Sequence, residues 1–386
     1  MRVNAAQELI AGAAQAPAPD RGRLRVAVLS DSPPERNGVG SYYADLVQQL
    51  RGRIGGAELI CPTAQTRRWH RYVTPPLPGD STQRIWLPRP FKIRAQLKSL
   101  RPDVIVVPTP GPYGLFGLVA ARWLSVPLIV GFHTHYEALA GIYWHDAFGR
   151  LCRWYLSGCN RLLFRHSALV LANSAEMQRQ ARLLGARRVE LMGTSVPAAF
   201  LSRPVTPASG RLRQVLFVGR LAEEKNVPTI LELARQRPEL RFSIVGDGPL
   251  RETVRNAAAQ LDNLAYLGWL PRDELIGVID RHDLLLLPSH VEAFGTVALE
   301  AMARGRPALV SHTCGIADWP ALARGLYVMG AQESLAEGLD RVMRLDERRR
   351  RATAQRALQA ARSLHAWNAQ TWLDWLDDPG GVRRVV

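Results

Sequence analysis

Three observations predict an α/β chain folded as two facing doubly wound domains with a ligand cleft between them. Short continuous apolar runs alternate with amphipathic segments of helix length, the pattern of parallel sheets covered on both faces. The alternation stops at residues 202–210, a stretch containing Pro204 and Pro207, and then starts again. A length of 386 residues accommodates two domains of about 100 to 200 residues each.

The elements follow in order. Residues 1–22 read as a flexible tail, because one early Arg is followed by Ala, Gln and Pro with too few large apolar residues for a signal peptide. The amino-terminal domain, residues 23–200, is expected to place strands at 24–30, 58–61, 104–107, 127–131 and 168–172. The carboxyl-terminal domain, 201–364, is expected to place them at 214–218, 242–245, 284–287 and 308–311, with helices between. Past Arg348 an Arg- and Ala-rich run reads as one helix and residues 365–386 as another. That last helix carries Trp367, Trp372 and Trp375 and is expected to pack back on the amino-terminal domain, since exposed tryptophans would make an unusual patch. In such folds ligands bind outside the carboxyl ends of the strands.

Fifty Lys and Arg against thirty-four Asp and Glu give a net charge of +16, a field that attracts phosphate-rich surfaces. Only Lys92, Lys98 and Lys225 are lysines, so the global arginine excess says less than where it clusters. No apolar run approaches the roughly 20 residues of a membrane span. No zinc spacing or RNA-binding module accompanies the charge, which argues against a nucleic-acid partner. Cys61, Cys152, Cys159 and Cys314 form no Cys-x-x-Cys pair, and buried reduced thiols in a cytoplasmic protein are expected.

The chemistry concentrates in the carboxyl half. The run from His290 through Glu292, Phe294, Gly295, Thr296 and Glu300 follows a strand and enters a helix. Gly295 permits a tight turn, and the amides of Thr296 and Val297 fall among the unpaired donors of the first helical turn, ready for a phosphate. Glu292 before the helix and Glu300 within it suit recognition of hydroxyls better than metal binding. At another strand end, Arg220 and Lys225 can both point at a diphosphate, one as a fork and one as a point charge. The Gly246-Asp247-Gly248-Pro249 turn reads as strand-to-helix punctuation.

Together these motifs resemble the family 4 (group 1) retaining glycosyltransferases, from residue 24 to about 377. The resemblance implies two facing Rossmann-like domains (GT-B) with a deep cleft, and a nucleotide-diphosphate sugar as donor. It implies that Arg220 and Lys225 bind the donor diphosphate, that Glu292, Phe294, Gly295 and Thr296 face the donor sugar and phosphate, and that Glu300 faces the ribose. Asn37-Gly38-Val39-Gly40-Ser41 resembles the family's glycine-rich loop, with Gly38 the matching residue. The resemblance also places His133 beside the reacting sugar, making His133 and Glu292 the candidate catalytic residues and His135 the alternative histidine. It implies same-face attack through a short-lived ion pair. No Asp-x-Asp occurs in the chain, so no metal is expected, and with no lysine-bearing segment of the kind pyridoxal phosphate needs, no cofactor is expected either. One departure is Gly193-Thr194-Ser195, where relatives commonly carry Gly-Val-Asp.

The acceptor side is read from charge. Residues 67–101 hold nine cations against one acid, Asp80, half the net charge of the chain. Arg67, Arg68, Trp69, Lys92, Arg94, Lys98 and Arg101 are expected to form a patch that meets anionic lipid, with Ile93, Leu97 and Leu100 sharing one face of a helix over 91–101 beside Arg94, Lys98 and Arg101; the other reading of that face is an ordinary core stripe. This points to a lipid or lipid-linked acceptor at the inner face of the cell membrane. The alternatives are a soluble or polysaccharide acceptor, or a sugar-nucleotide-binding relative without activity.

Overall fold

β1 (Arg25–Leu29) buries four of its five residues, as a strand covered on both faces requires. It opens a computed structural model that describes residues 21–34, 38–63, 76–77, 80–134 and 147–381. The amino half continues with α1 (Gly38–Leu50), β2 (Gly56–Ile60), β3 (Pro76–Leu77), β4 (Asp80–Arg84), α2 (Pro90–Leu100), β5 (Val104–Val107) and α3 (Pro112–Leu124). Then come β6 (Leu128–Phe132), α4 (Ala147–His166), β7 (Leu169–Ala172), α5 (Ala175–Leu183) and β8 (Val189–Leu191). The carboxyl half begins with α6 (Ala198–Ser202), β9 (Gln214–Val218), α7 (Val227–Gln236), β10 (Arg241–Val245), α8 (Arg251–Gln260) and β11 (Leu264–Gly268). It ends with α9 (Arg272–Asp280), β12 (Leu284–Leu287), α10 (Thr296–Ala303), β13 (Ala308–Val310), α11 (Pro320–Ala323), β14 (Leu326–Val328), α12 (Leu335–Met343) and α13 (Glu347–Asp377).

Each half is one six-stranded sheet, in the orders β2-β1-β5-β6-β7-β8 and β11-β10-β9-β12-β13-β14. The pairings within both are parallel. Strand order reverses between β1 and β5 and between β9 and β12, and a reversal opens a crevice at the carboxyl ends. α2, α3, α4 and α5 cover one face of the amino sheet, their Leu97, Leu118, Leu163 and Met177 sharing a core with β1, β5 and β6. α1 and the end of α13 cover the other face.

α13 departs from the expected pair of helices: it is a single helix of 31 residues. No Gly or Pro interrupts residues 347–377, and the Asp346 side chain caps the start by accepting from Arg349 N. Its apolar stripe changes partner midway. Ala357, Ala361 and Leu364 lie in the carboxyl core, whereas Trp372, Trp375 and Leu376 lie in the amino core. Trp372 Nε1 donates to Tyr42 Oη at 2.6 Å. The handover falls between Trp367, which packs against the carboxyl core, and Trp372.

Residues 202–210 do not form a loose linker. The fully buried Arg304 guanidinium donates to the carbonyls of Phe200 (3.1 Å), Arg203 (2.8 Å) and Pro204 (2.5 Å) and to both oxygens of Asp280. Arg306 adds the carbonyls of Thr206 and Asp280. Two buried arginines therefore fasten this segment to the carboxyl domain.

β3, β4, β8, β11 and β14 were not among the expected strands; β3 and β4 form a short antiparallel pair apart from the two large sheets. β8 and β14 are three residues long, and β11 is an edge strand whose burial alternates, so none presents a continuous apolar run. The expected helix over 91–101 is α2, with Ile93 and Leu97 buried and Leu100 half-buried. All four cysteines are free, but only Cys159 and Cys314 are buried; Cys61 and Cys152 keep some exposure. Residues 1–20 lie outside the described residues.

Arg304→Ala strips five hydrogen bonds from a buried site and leaves Asp280 without its main partner. We expect a loss of about 3 to 5 kcal/mol in urea unfolding, with Arg304→Lys losing less.

Candidate active site

Both strand reversals carry the sequence-derived residues. In the carboxyl half, the loop leaving β9 brings Arg220 and a 3-10 turn over Glu223–Lys225, and the loop leaving β12 brings Glu292. The two loops are tied together, since the Glu224 carbonyl accepts from His290 N at 2.8 Å. Lys225 Nζ sits 2.5 Å from Glu292 Oε2, and Arg220 Nη1 3.4 Å from the Oε1 of the buried Glu224. Burial opposes the Lys225 ammonium, but the charge and hydrogen bond of Glu292, with Glu224, outweigh it and hold its pKa above the ordinary lysine value. Glu292 is fixed in turn through its carbonyl, which accepts from Gly315 N at 3.0 Å.

Gly295 is the N-cap of α10 with φ +97°, and a Cβ there would come 2.8 Å from Cys314 Sγ. Both the left-handed backbone and the close approach call for glycine. Thr296 and Val297 follow as its first helical residues, each half-buried. Phe294 is different: its ring is buried edge-on against Trp319, with centroids 6.0 Å apart. Any contact from Phe294 to a ligand is through its backbone.

Gly38 is the first residue of α1, and a Cβ added to it meets nothing within 4 Å, so this helix start is open to a ligand. His133 stands just past β6, its Nε2 2.9 Å from Tyr43 Oη. Gly131 makes this contact possible, since a Cβ there would fall 2.2 Å from the Tyr43 hydroxyl. Burial pushes the His133 pKa down to about 4, partly offset by a hydrogen bond with the Asn173 side chain, so the ring is neutral at neutral pH. His135 lies outside the described residues.

Glu300 meets the arginine that joins the halves. Its Oε1 is 3.3 Å from Arg272 Nη2, and Arg272 Nη1 is 2.7 Å from Asp45 Oδ2 on α1. Glu300 is 5% exposed. Burial pushes its pKa up to about 7, with Arg272 pulling it down and Asp45 pushing it further up.

Sequence reasoning missed Asp45, Arg272, Glu224, Tyr43 and Asn173. Arg272 had a local signal, a strand end followed by Pro271, but it needed β11 to be recognised. Asp31 was also missed: its carboxylate accepts from Thr109 Oγ1 (2.7 Å) and Tyr113 N (2.8 Å) across the β1–β5 reversal, and burial pushes its pKa to about 6 despite these bonds. Among the described residues no group of three His, Cys, Asp or Glu side chains is placed to hold a metal.

The patch on the amino half is described in part. Lys92, Arg94 and Lys98 are exposed on α2 and Arg101 just beyond it. Arg67, Arg68 and Trp69 lie outside the described residues. Among the described residues no helix is long and apolar enough to cross a membrane.

Residues 36–199 match the model for Glycosyltransferase Family 4, and residues 201–359 the model for Glycosyl transferases group 1. The chain belongs to this family of glycosyltransferases. It is 29% identical over 365 residues to a GDP-mannose-dependent alpha-mannosyltransferase of Mycolicibacterium smegmatis, covering 88% of this chain and 94% of that one. It is 27% identical to the sulfoquinovosyl transferase SQD2 of Arabidopsis thaliana over 59% of this chain, which spans only 46% of that longer protein. The fold matches Anabaena HepE in complex with UDP-glucose at a TM-score of 0.64 and 15% identity, over 91% of this chain and 100% of the other.

The raised Glu300 pKa has a sign that can be checked. Between the ordinary 4.5 and about 7 the unfolded chain has released this proton and the folded chain still holds it. Stability therefore falls as pH rises through that window, by up to about 3 kcal/mol, and levels off above it. Urea unfolding of Glu300→Gln against the parent at pH 5 and pH 7.5 should show a difference that grows with pH in favour of the variant.

Proposed function

We propose that the protein transfers a hexose from a UDP- or GDP-linked donor to an acceptor hydroxyl, with retention of anomeric configuration and without a divalent metal. We take the acceptor to be a lipid or lipid-linked glycan met at the cytoplasmic face of the membrane. The observation that carries the reading is the pairing of Lys225 with Glu292 and of Arg220 with Glu224 at the β9–β12 reversal. These are cations held in place by carboxylates where a diphosphate would sit. The GDP-mannose in one relative's name and the UDP-glucose bound by a protein of the same fold support a nucleotide-sugar donor. The exposed cations of α2 support an anionic surface on the acceptor side.

Transfer breaks the bond between the anomeric carbon and a diphosphate oxygen and makes one to the acceptor oxygen. In same-face attack the acceptor's proton passes to the departing diphosphate oxygen, so the protein need not supply a base. Its task is to stabilise negative charge on the leaving group while positive charge develops on the sugar. Arg220, Lys225 and the amides of Thr296 and Val297 serve the first need, and Glu292 faces the second. The neutral His133, with Tyr43 and Asn173 holding its ring, orients a sugar hydroxyl. Glu300 accepts from the ribose hydroxyls, an interaction that favours its ionised form.

His133→Ala should lower turnover by about a hundredfold while leaving the Kd for UDP or GDP within about twofold. Lys225→Ala should weaken that Kd and lower turnover by at least about a hundredfold. Calorimetry gives the Kd, product NMR gives the anomeric configuration, and transfer should persist in EDTA. Unchanged turnover in His133→Ala would remove it from the catalytic residues, and an inverted product would end the retaining assignment.

A further inference from the structure

α2, α3 and α4 form a neighbouring layer on one face of the amino sheet: α3 packs on α4, and Arg94 of α2 lies 4.9 Å over the ring of Trp123 at the end of α3. Their residues 90–100, 112–124 and 147–166 include no Asp or Glu. Of the ten large apolar side chains exposed among the described residues, six are theirs: Phe91, Val119, Trp123, Leu151, Trp154 and Leu162. Trp154 is 75% exposed and Phe91 86%.

α4 organises its share of this face. Leu151, Trp154, Gly158, Leu162 and Arg165 follow one another at helical spacings of three and four, and all are exposed. Arg150, Arg153 and Arg161 are exposed beside them. The next helix in the layer, α5, brings the first acid, Glu176, which is paired with Arg179. On the opposite side of the sheet, α1 carries Asp45, and the end of α13 carries Asp374 and Asp377.

We propose that the joined outer faces of α2, α3 and α4 seat an anionic bilayer, with Leu151, Trp154 and Leu162 entering the interface and the flanking arginines and lysines meeting the headgroups. An amphipathic surface with indole and leucine on one side and guanidinium groups around it is what an interface of apolar depth and anionic rim retains. A nucleic acid would use the cations and leave Leu151 and Leu162 in water. The proposal deepens the lipid-acceptor reading, moves the centre of contact from residues 67–101 to α4, and rests on that reading only for its purpose.

Gly158 supplies a probe without a folding penalty. A Cβ there meets nothing within 4 Å, and replacing a mid-helix glycine favours the helix. The experiment is co-sedimentation of the whole protein with phosphatidylcholine vesicles, with and without phosphatidylglycerol, at low and high salt. Binding should require phosphatidylglycerol and weaken with salt. Gly158→Glu should weaken it by about fivefold and Gly158→Lys strengthen it by a similar factor. Trp154→Ala should weaken it by about tenfold. No sedimentation at low salt, equal binding by the two Gly158 variants, or displacement of the protein from vesicles by duplex DNA would overturn the proposal. Calorimetry with UDP and GDP on the same preparations keeps the readings separate: nucleotide binding without vesicle binding rejects the bilayer seat alone, and the reverse rejects the donor assignment alone.

Discussion

A single guanidinium, that of Arg272, touches carboxylates from both domains, and the arrangement of the site depends on that contact. Asp45 lies on the helix whose first residue is Gly38 and whose Tyr43 holds His133, whereas Glu300 lies on the helix that opens at Gly295. The ion pairs at 2.7 and 3.3 Å therefore relate the glycine-led helix starts of the two halves to one another. α13 gives the contact its frame, because one unbroken helix buries alanines in one core and tryptophans in the other. Trp319 Nε1, donating to the Asn173 carbonyl at 3.0 Å, adds a further link between the halves, on the residue that supports His133.

The electrostatics of the site follow from burial. Four charged groups, Arg220, Lys225, Glu224 and Glu292, cancel one another, so the cations are positioned without repelling each other before any ligand arrives. In the proposed reaction a diphosphate would draw on these cations and on the amides at the start of α10. Glu300 has only one partly exposed arginine to offset its burial, and its proton affinity rises accordingly. His133, half-buried beside a tyrosine hydroxyl and an amide, stays neutral at neutral pH.

Much of this was legible in the sequence where local pattern and chemistry coincide. Leu284–Leu287 followed by Gly295 and a helix announces a buried strand and a glycine turn into a helix, and the structure has both. The edge strands β8, β11 and β14 were illegible because half-exposed or three-residue strands lack a continuous apolar run. The pinning of residues 202–210 was hidden because Arg304 and Arg306 look like any other arginine in a chain holding forty-seven of them. Asp45 and Arg272, 227 positions apart, leave no local signature, since their pairing exists only once the two sheets face each other. The exposed face of α4 was equally hidden, because a leucine or tryptophan on a helix reads as core until its neighbours are known.

The central claim is that a nucleoside diphosphate binds between the two strand reversals and touches both domains. Hydrogen–deuterium exchange on the whole protein, with and without UDP or GDP, tests it most directly. The account predicts slowed exchange in residues 38–43, 219–226 and 290–300 together with the better-bound nucleotide. Protection confined to one domain, or appearing away from these segments, would contradict it.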